Sequence, residues 1–349
     1  MQPEIGERVG ESAVGAGGGD RPPPTIYDVA RAAGVSKSLV SLVLRNSPQV
    51  SESRRAAVQA AIAELGYRPS RAATLLASRR THGIEVLIDD YRNPSFVGLV
   101  RAIQGELSGR GYHLAVTDLQ LTAHQARADL DNLAARADGL VLAAEPDATM
   151  LATWRGPTVV AGWRDTMPAH ADLVTADDEA GGRLVLEHLR ALGHLRIGHL
   201  SGAGGPATRR RTGFEEAVAA AGLELRVSGT GGGTTEEDGY RAVGALWDQF
   251  PDTTAVFAAN DSMALGALAA LRERGLTVPA DVSLVGYDNS PLAQSRYLDL
   301  SSVDDRSETV GIGAAQALLA RIDDPSRDTT RTLLAPTLIA RGTTTAPRA

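Results

Sequence analysis

The sequence predicts a small all-α helix-turn-helix head joined to a larger α/β core of two similar lobes built on parallel sheets. Three observations predict it. Three short capped amphipathic segments occupy residues 25 to 66; beyond residue 84, strand-like apolar runs alternate with amphipathic helices and the alternation restarts once; and a basic stretch sits on an acidic body. At 349 residues the chain exceeds what one hydrophobic core usually supports, so several folded units are expected.

Residues 1–24, with Gly17-Gly18-Gly19 and Pro22-Pro23-Pro24, have no apolar periodicity and read as a disordered leader. The head, 25–69, starts where Thr25 caps a helix with Asp28 at its N3 position; Ile26, Val29, Ala30 and Ala33 follow at helical spacing until Gly34. Ser36 caps a second helix whose apolar stripe is Leu39, Val40, Val43 and Leu44, with Lys37, Ser38, Ser41, Leu42 and Arg45 facing elsewhere. A Gly-Val turn between two short helices makes a helix-turn-helix. Ser51 caps a third helix through Val58, Ala61, Ile62 and Leu65, ended by Gly66.

Residues 70–83 form a connector. Its stretch from Ser70 to Ala77 spans about two turns, too short for a stable isolated helix, so it is expected to order only when docked. In the core, 84–349, the runs Ile84–Ile88, His113–Thr117 and Gly139–Ala143 alternate with helical segments, and the pattern restarts through Ile197–Leu200, Ala255–Ala259 and Ser283–Tyr287. That is the signature of parallel α/β sheets.

The formal net charge is −7, but residues 21–83 hold ten Lys and Arg against Asp28, Glu52 and Glu64. A basic module on an acidic body suits phosphate contact by the module while the body limits non-specific binding. With no cysteine and no metal-ligand spacing among seven histidines, neither disulfides, structural metal nor a cofactor is expected. No long apolar run and no basic start followed by an apolar core is present, so the expected location is the cytoplasm.

Thr25-Ile-Tyr-Asp-Val-Ala-Arg-Ala-Ala-Gly-Val-Ser36, Val40-Ser41, Val50-Ser51 and Glu64-Leu-Gly-Tyr-Arg-Pro69 resemble the head of lactose-repressor (LacI/GalR) family regulators. The resemblance continues through Asn93-Pro94, Asp138-Gly139, Leu192-Gly193-His194, Arg210 with Gly213-Phe214, Asn260-Asp261 and Gly286-Tyr287-Asp288. It implies a periplasmic-binding-protein-like core, with lobes 84–176 plus 307–335 and 177–306 plus 336–349. It further implies a homodimer whose recognition helices enter major grooves of a pseudo-palindromic operator, with paired hinge helices in the minor groove. After Arg341 there is no leucine heptad, so the expected assembly stops at the dimer.

By that resemblance Lys37, Ser38 and position 42 read bases. Lys37 suits guanine or phosphate and Ser38 is permissive. Leu42 either meets a thymine methyl or packs on the third helix. Ser41, Arg45 and Asn46 are phosphate-side positions, Arg45 having solvation as its alternative, and Thr25, Tyr27 and Ser36 are further DNA-binding positions. Leu76, after Ser70 and Arg71, occupies the position of a minor-groove wedge, the alternative being a linker leucine packed on the core.

For a small-molecule effector, a sugar by resemblance, Arg210, Asn260 and Asp288 fall at strand ends facing the cleft, where open α/β sheets bind ligands. Phe96 and Trp163-Arg164 are expected to supply lid and stacking surface, with Asp90 weaker. Asp261 reads as the cap of the next helix and Trp247 as core. Gly202-Ala-Gly204-Gly-Pro-Ala207 superficially fits a dinucleotide fingerprint, but Pro206 and the arginines after it suit a cleft loop better. No P-loop and no Ser/His/Asp set is legible, so an enzyme is not expected. The rival readings, a secreted sugar receptor and a sugar-processing enzyme on the same lobes, do not account for the basic head.

Overall fold

The computed structural model describes residues 24–44, 47, 49–67, 81–120, 133–146 and 153–348. The chain divides into two compact units, Met1–Arg79 and Arg80–Ala349. The leader, save Pro24, and most of the 70–83 connector lie outside the described residues.

The first unit holds α1 (Ile26–Ala32), α2 (Lys37–Leu44) and α3 (Glu52–Leu65). The Asp28 carboxylate accepts both the N–H and the hydroxyl of Thr25, at 2.9 and 2.7 Å, which closes the first turn of α1. Gly34 takes φ +63° in the turn after α1, a conformation open to glycine at no steric cost. Val29, Val40, Val43, Val50, Val58, Ala61 and Tyr67 make the buried core, with Leu39 and Leu42 packed partly against it. The expected stripe of α2 is corrected on one flank: Leu44 is 37% exposed, and Leu42 packs in its place. The two lie on opposite borders of the Val40–Val43 face, and the other helices cover only one border.

In the second unit one sheet contains β1 (Gly83–Ile88), β2 (His113–Asp118), β3 (Gly139–Ala143), β4 (Thr158–Ala161), β5 (Asp172–Ala176) and β11 (Arg331–Leu334), ordered β2-β1-β3-β4-β5-β11 and parallel throughout. The other contains β6 (Ile197–Leu200), β7 (Arg226–Ser228), β8 (Ala255–Ala258), β9 (Ser283–Tyr287), β10 (Ser301–Asp304) and β12 (Thr337–Ile339), ordered β7-β6-β8-β9-β10-β12. Only β12 runs antiparallel. The helices, in chain order, are α4 (Ser95–Leu107), α5 (Leu133–Arg136), α6 (Asp178–Ala191), α7 (Gly205–Ala220), α8 (Glu236–Gln249), α9 (Asp261–Glu273) and α10 (Ser307–Asp323).

The central strands of each sheet are buried on both faces and mostly apolar, because the sheet is covered on both. Along β1, Ile84, Val86 and Ile88 pack with α4 and α10, whereas Leu87 points the other way, toward Leu140, Leu142 and Trp154. The chain passes between lobes after β5, after β10 and after β11. Asp172 on β5 ties the end of α10 and the start of β11 to the first sheet, taking Arg321 at 2.7 Å and both the N–H and hydroxyl of Thr330 at 2.7 Å. In each sheet the strand order reverses beside the first strand, which opens a crevice at the carboxyl ends of the strands.

Candidate functional site

That crevice is a cavity of about 670 Å³, and the loops that follow the strands of both sheets line it. From the first sheet come Asp89 and Asp90 after β1, Glu145 after β3, Gly162 and Arg164 after β4, and Thr175, Ala176 and Asp178 around the end of β5. From the second come Gly204 to Ala207 and Arg210 after β6, Thr234 and Thr235 after β7, Asn260 after β8, Asp288 after β9 and Asp305 after β10.

Arg210 is the hub. It is brought there by close packing of α6 on α7: a Cβ on Gly182 would lie 2.1 Å from the Arg210 carbonyl oxygen, and one on Gly213 would lie 2.0 Å from that of Glu179. Its guanidinium is buried, with Nε donating to Asp178 at 2.9 Å and one Nη donating to the Ala259 carbonyl at 2.7 Å and to Asp288 at 3.2 Å. It lies 3.7 Å above the centre of the Tyr287 ring. Burial works against its charge, but Asp178 and Asp288 outweigh burial and hold its pKa above the ordinary range.

One guanidinium does not neutralise the carboxylates around it. Burial raises the pKa of Asp178 against the pull of Arg210. Asp288 is pushed up further by burial and by Asp305 and Asp261. Asp305 is raised to about 6, burial outweighing its hydrogen bonds from Ser307. These acids compete to ionise around one shared cation. On the other wall, Arg164 is 5% exposed; it donates to the Trp163 carbonyl at 2.6 Å, while its buried Nε has no hydrogen-bond partner. Burial lowers its pKa, opposed by Asp89 and Glu145.

Of the residues singled out from sequence for an effector, Asp90, Phe96, Arg164, Arg210, Asn260 and Asp288 line the cavity. Asp90 is tied up by Arg92 at 2.7 and 2.9 Å, and those hydrogen bonds hold its pKa below the usual range. Trp163 is a correction. Its indole lies 3.9 Å from the Arg209 guanidinium, and the residue is not in the cavity wall. The turn at Gly162, φ +79°, puts Trp163 against α7 and leaves Arg164 to face the cleft. Asp261 is a second correction: Asn260 caps α9, its Oδ1 accepting the Met263 N–H at 2.8 Å, and Asp261 instead accepts the Ser302 hydroxyl and the Ser290 N–H, each at 2.7 Å. The loop from Gly202 to Ala207 does begin a helix after a strand, but it forms cavity wall. Trp247 packs partly against the second-lobe core.

Asp178, Asp305, Asp89 and Glu145 were not singled out from sequence. The signal is weak but present: each acid lies within two residues of a strand's carboxyl end.

In the head, the Lys37 ammonium donates to the Tyr27 hydroxyl at 3.3 Å and sits 5.0 Å from its ring centre, on an exposed edge where Tyr27 is 60% accessible. Ser36 stands ahead of α2, its Oγ accepting the Leu39 N–H at 3.3 Å. Ser38 and Ser41 belong to α2, and Thr25 lies at the start of α1. Arg45, Asn46, Ser70, Arg71 and Leu76 lie outside the described residues.

Residues 25–70 match the family model of bacterial regulatory proteins, lacI family, and residues 186–344 match that of a periplasmic binding protein-like domain. The HTH-type transcriptional regulator CelR of Thermobifida fusca is 34% identical over 334 residues, covering 91% of this chain and 97% of CelR. The chain belongs to the LacI family. As a LacI-family protein it is a DNA-binding transcriptional regulator with a two-lobed, periplasmic-binding-protein-like core. A solved lac repressor dimer bound to operator and the anti-inducer ONPF matches this LacI-family chain at TM-score 0.79 and 30% identity, over 93% of this chain and all of that one. A CelR–cellobiose complex matches at TM-score 0.68 and 32% identity, over 92% and 99%. Among the described residues, no helix is long and apolar enough to cross a membrane.

Proposed function

We propose that this LacI-family chain is a cytoplasmic repressor that binds a pseudo-palindromic operator as a homodimer and whose operator affinity is set by a neutral sugar held between the core lobes. The observation that carries this reading is the constellation of Arg210 with Asp178 and Asp288, facing Arg164 with its unpartnered buried Nε. Guanidiniums only donate, an ionised carboxylate only accepts and a protonated carboxyl does both, so together they satisfy hydroxyls that do both. The relative crystallised with cellobiose supports the same class. Asp89, Asp90, Glu145, Asp178, Asp288 and Asp305 outnumber Arg92, Arg164 and Arg210 in the wall, which disfavours a phosphorylated sugar because its charge would enter among desolvated carboxylates.

At the DNA, Lys37 and Ser38 read base edges from the start of α2, and Thr25, Tyr27, Ser36 and Ser41 face phosphate with Arg45 and Asn46. Leu42, half occupied with head packing, contributes at most an apolar edge to a thymine methyl. Ser70, Arg71 and Leu76 act in the minor groove at the centre of the operator.

The test is a thermal-shift screen of the full chain against neutral sugars and their phosphates, since a ligand of the native state raises Tm. A neutral sugar that raises Tm in the wild type but not in Asp288→Ala supports the reading. A shift only with phosphorylated or anionic compounds contradicts it.

A further inference from the structure

The chain enters the core through Thr81, His82 and Gly83, the described end of the connector. His82 takes φ +53°, a left-handed conformation that costs a histidine more than a glycine and persists only where its surroundings hold it. Here they do. The Asp138 carboxylate accepts the Thr81 N–H at 2.7 Å, the Thr81 hydroxyl at 2.8 Å and the His82 N–H at 2.9 Å. The His82 carbonyl accepts the His113 N–H, and the Gly83 carbonyl accepts the Asp138 N–H, each at 2.7 Å. A Cβ on Gly83 would lie 2.1 Å from the Arg136 carbonyl oxygen, so the chain passes directly against the segment that carries Asp138.

This clamp is mounted on the first sheet. Asp138 immediately precedes β3, and Ile84 of β1 lies in register with Gly139 of β3. Hydrogen bonds to a carboxylate are the strong kind, and three of them meet here on one side chain. The pairing of β1 with β2 starts at Gly83 and that with β3 at Ile84, so neither ladder uses Thr81 or His82. A kink and a clamp at those two residues therefore serve the chain that arrives, and not the sheet.

We infer that Asp138 is a positioning residue for operator binding: by holding the kink at His82 it fixes the direction in which the connector leaves the core, and with it the placement of a dimer's two heads on two half-sites. This rests on the homodimer and operator reading above. Once one head is bound, the other binds intramolecularly, at an effective concentration set by the direction and stiffness of its tether. Phosphate contact by a single head needs no such direction.

The experiment compares the full chain and its variants on three duplexes at fixed salt: an operator selected by the wild type from random-sequence DNA, one half-site of it, and a scrambled sequence. Asp138→Ala removes the clamp. His82→Val keeps the clamp but disfavours a positive φ. Each is expected to lose about tenfold or more on the full operator and to stay within about twofold of wild type on the half-site and the scrambled duplex. His82→Gly loses the same ring, which lies 5.6 Å from that of Tyr112, yet holds a positive φ freely, so it should stay within about threefold of wild type on all three. Light scattering accompanies each titration, and His82→Val decides the matter if Asp138→Ala does not hold the dimer. Losses that are equal on full operator and half-site, that are absent, that His82→Gly shares with His82→Val, or that come with dissociation of the His82→Val dimer overturn the inference. A wild type that binds no paired half-sites more tightly than one half-site removes the dimer reading itself.

Discussion

The Nε of Arg210 donates to Asp178 at 2.9 Å with both side chains buried, tying α7 of the second lobe to the start of α6, the helix through which the chain leaves the first sheet. Arg210→Ala leaves Asp178 and Asp288 buried around no cation. The expected loss is about 3–5 kcal/mol of core stability, the usual cost of removing one partner of a buried ion pair, together with loss of effector binding. Urea denaturation with unchanged m-value is the measurement; a loss under about 1 kcal/mol would show the carboxylates to be compensated elsewhere.

Asp305 and Asp261 set a pH dependence whose sign is fixed. Both have folded pKa values raised to about 6, from ordinary values of 3.8. A raised acid adds stability that is full below its unfolded pKa and is lost as pH rises through its folded pKa. The contribution of these two groups therefore falls from about pH 4 to about pH 6 and stays lost at pH 7. Asp305→Asn should raise Tm at pH 7.5 and flatten the pH dependence of Tm between pH 4 and 6, read by calorimetry at constant ionic strength. An unchanged profile would contradict burial of the Asp305 carboxyl as the cause of its raised pKa.

Two glycines inside helices should respond oppositely to alanine. A Cβ at Gly266 would lie 1.8 Å from the Glu236 carbonyl oxygen, so Gly266→Ala must push α9 from α8 and is expected to cost about 1–3 kcal/mol. Gly105 in α4 has nothing within 4 Å of the same position. Gly105→Ala should gain about 0.5–1 kcal/mol from reduced chain entropy. Equal effects at the two sites would mean that the close approach of α8 and α9 is relieved at no cost.

The pattern of capped segments made the head and its core readable, because local signals, Thr25 with Asp28 and Gly at both stops, coincide with the apolar spacing. The strands of the core were readable as apolar runs for the same reason. What was not legible depends on contacts between distant segments. Asp178 looks in sequence like an acid placed to suit a helix N-terminus, and only the packing of α6 on α7 reveals it beneath Arg210. Asn260 and Asp261 are both capping residues by type, and the choice between them is made by Ser302 on β10, forty-one residues away. Trp163 and Arg164 are neighbours in a turn, and the sign of φ at Gly162 decides which of them meets the cleft.

At the DNA, Lys37→Ala should weaken binding to every sequence and lower the salt dependence by about one counterion if the ammonium meets phosphate. It should cost about 1–3 kcal/mol at one base position only if the ammonium meets guanine. Gel shifts at two salt concentrations against single-base operator variants separate the two, and no change in either would remove Lys37 from the interface.

Leu76→Ala addresses the minor-groove wedge. Specific binding should weaken while non-specific affinity, carried by the basic head, stays close to wild type. Equal losses in both would make Leu76 a linker residue.

The central claim is that a sugar between the core lobes controls operator affinity. The most direct measurement is fluorescence anisotropy of the full chain on an operator selected by the protein from random-sequence DNA, with and without the sugar that most raises Tm, in wild type and in Asp288→Ala. The account predicts a shift in wild-type operator affinity of about fivefold or more, within the range of ordinary allosteric coupling, and none in the variant. An operator affinity that ignores a saturating sugar in the wild type would contradict it.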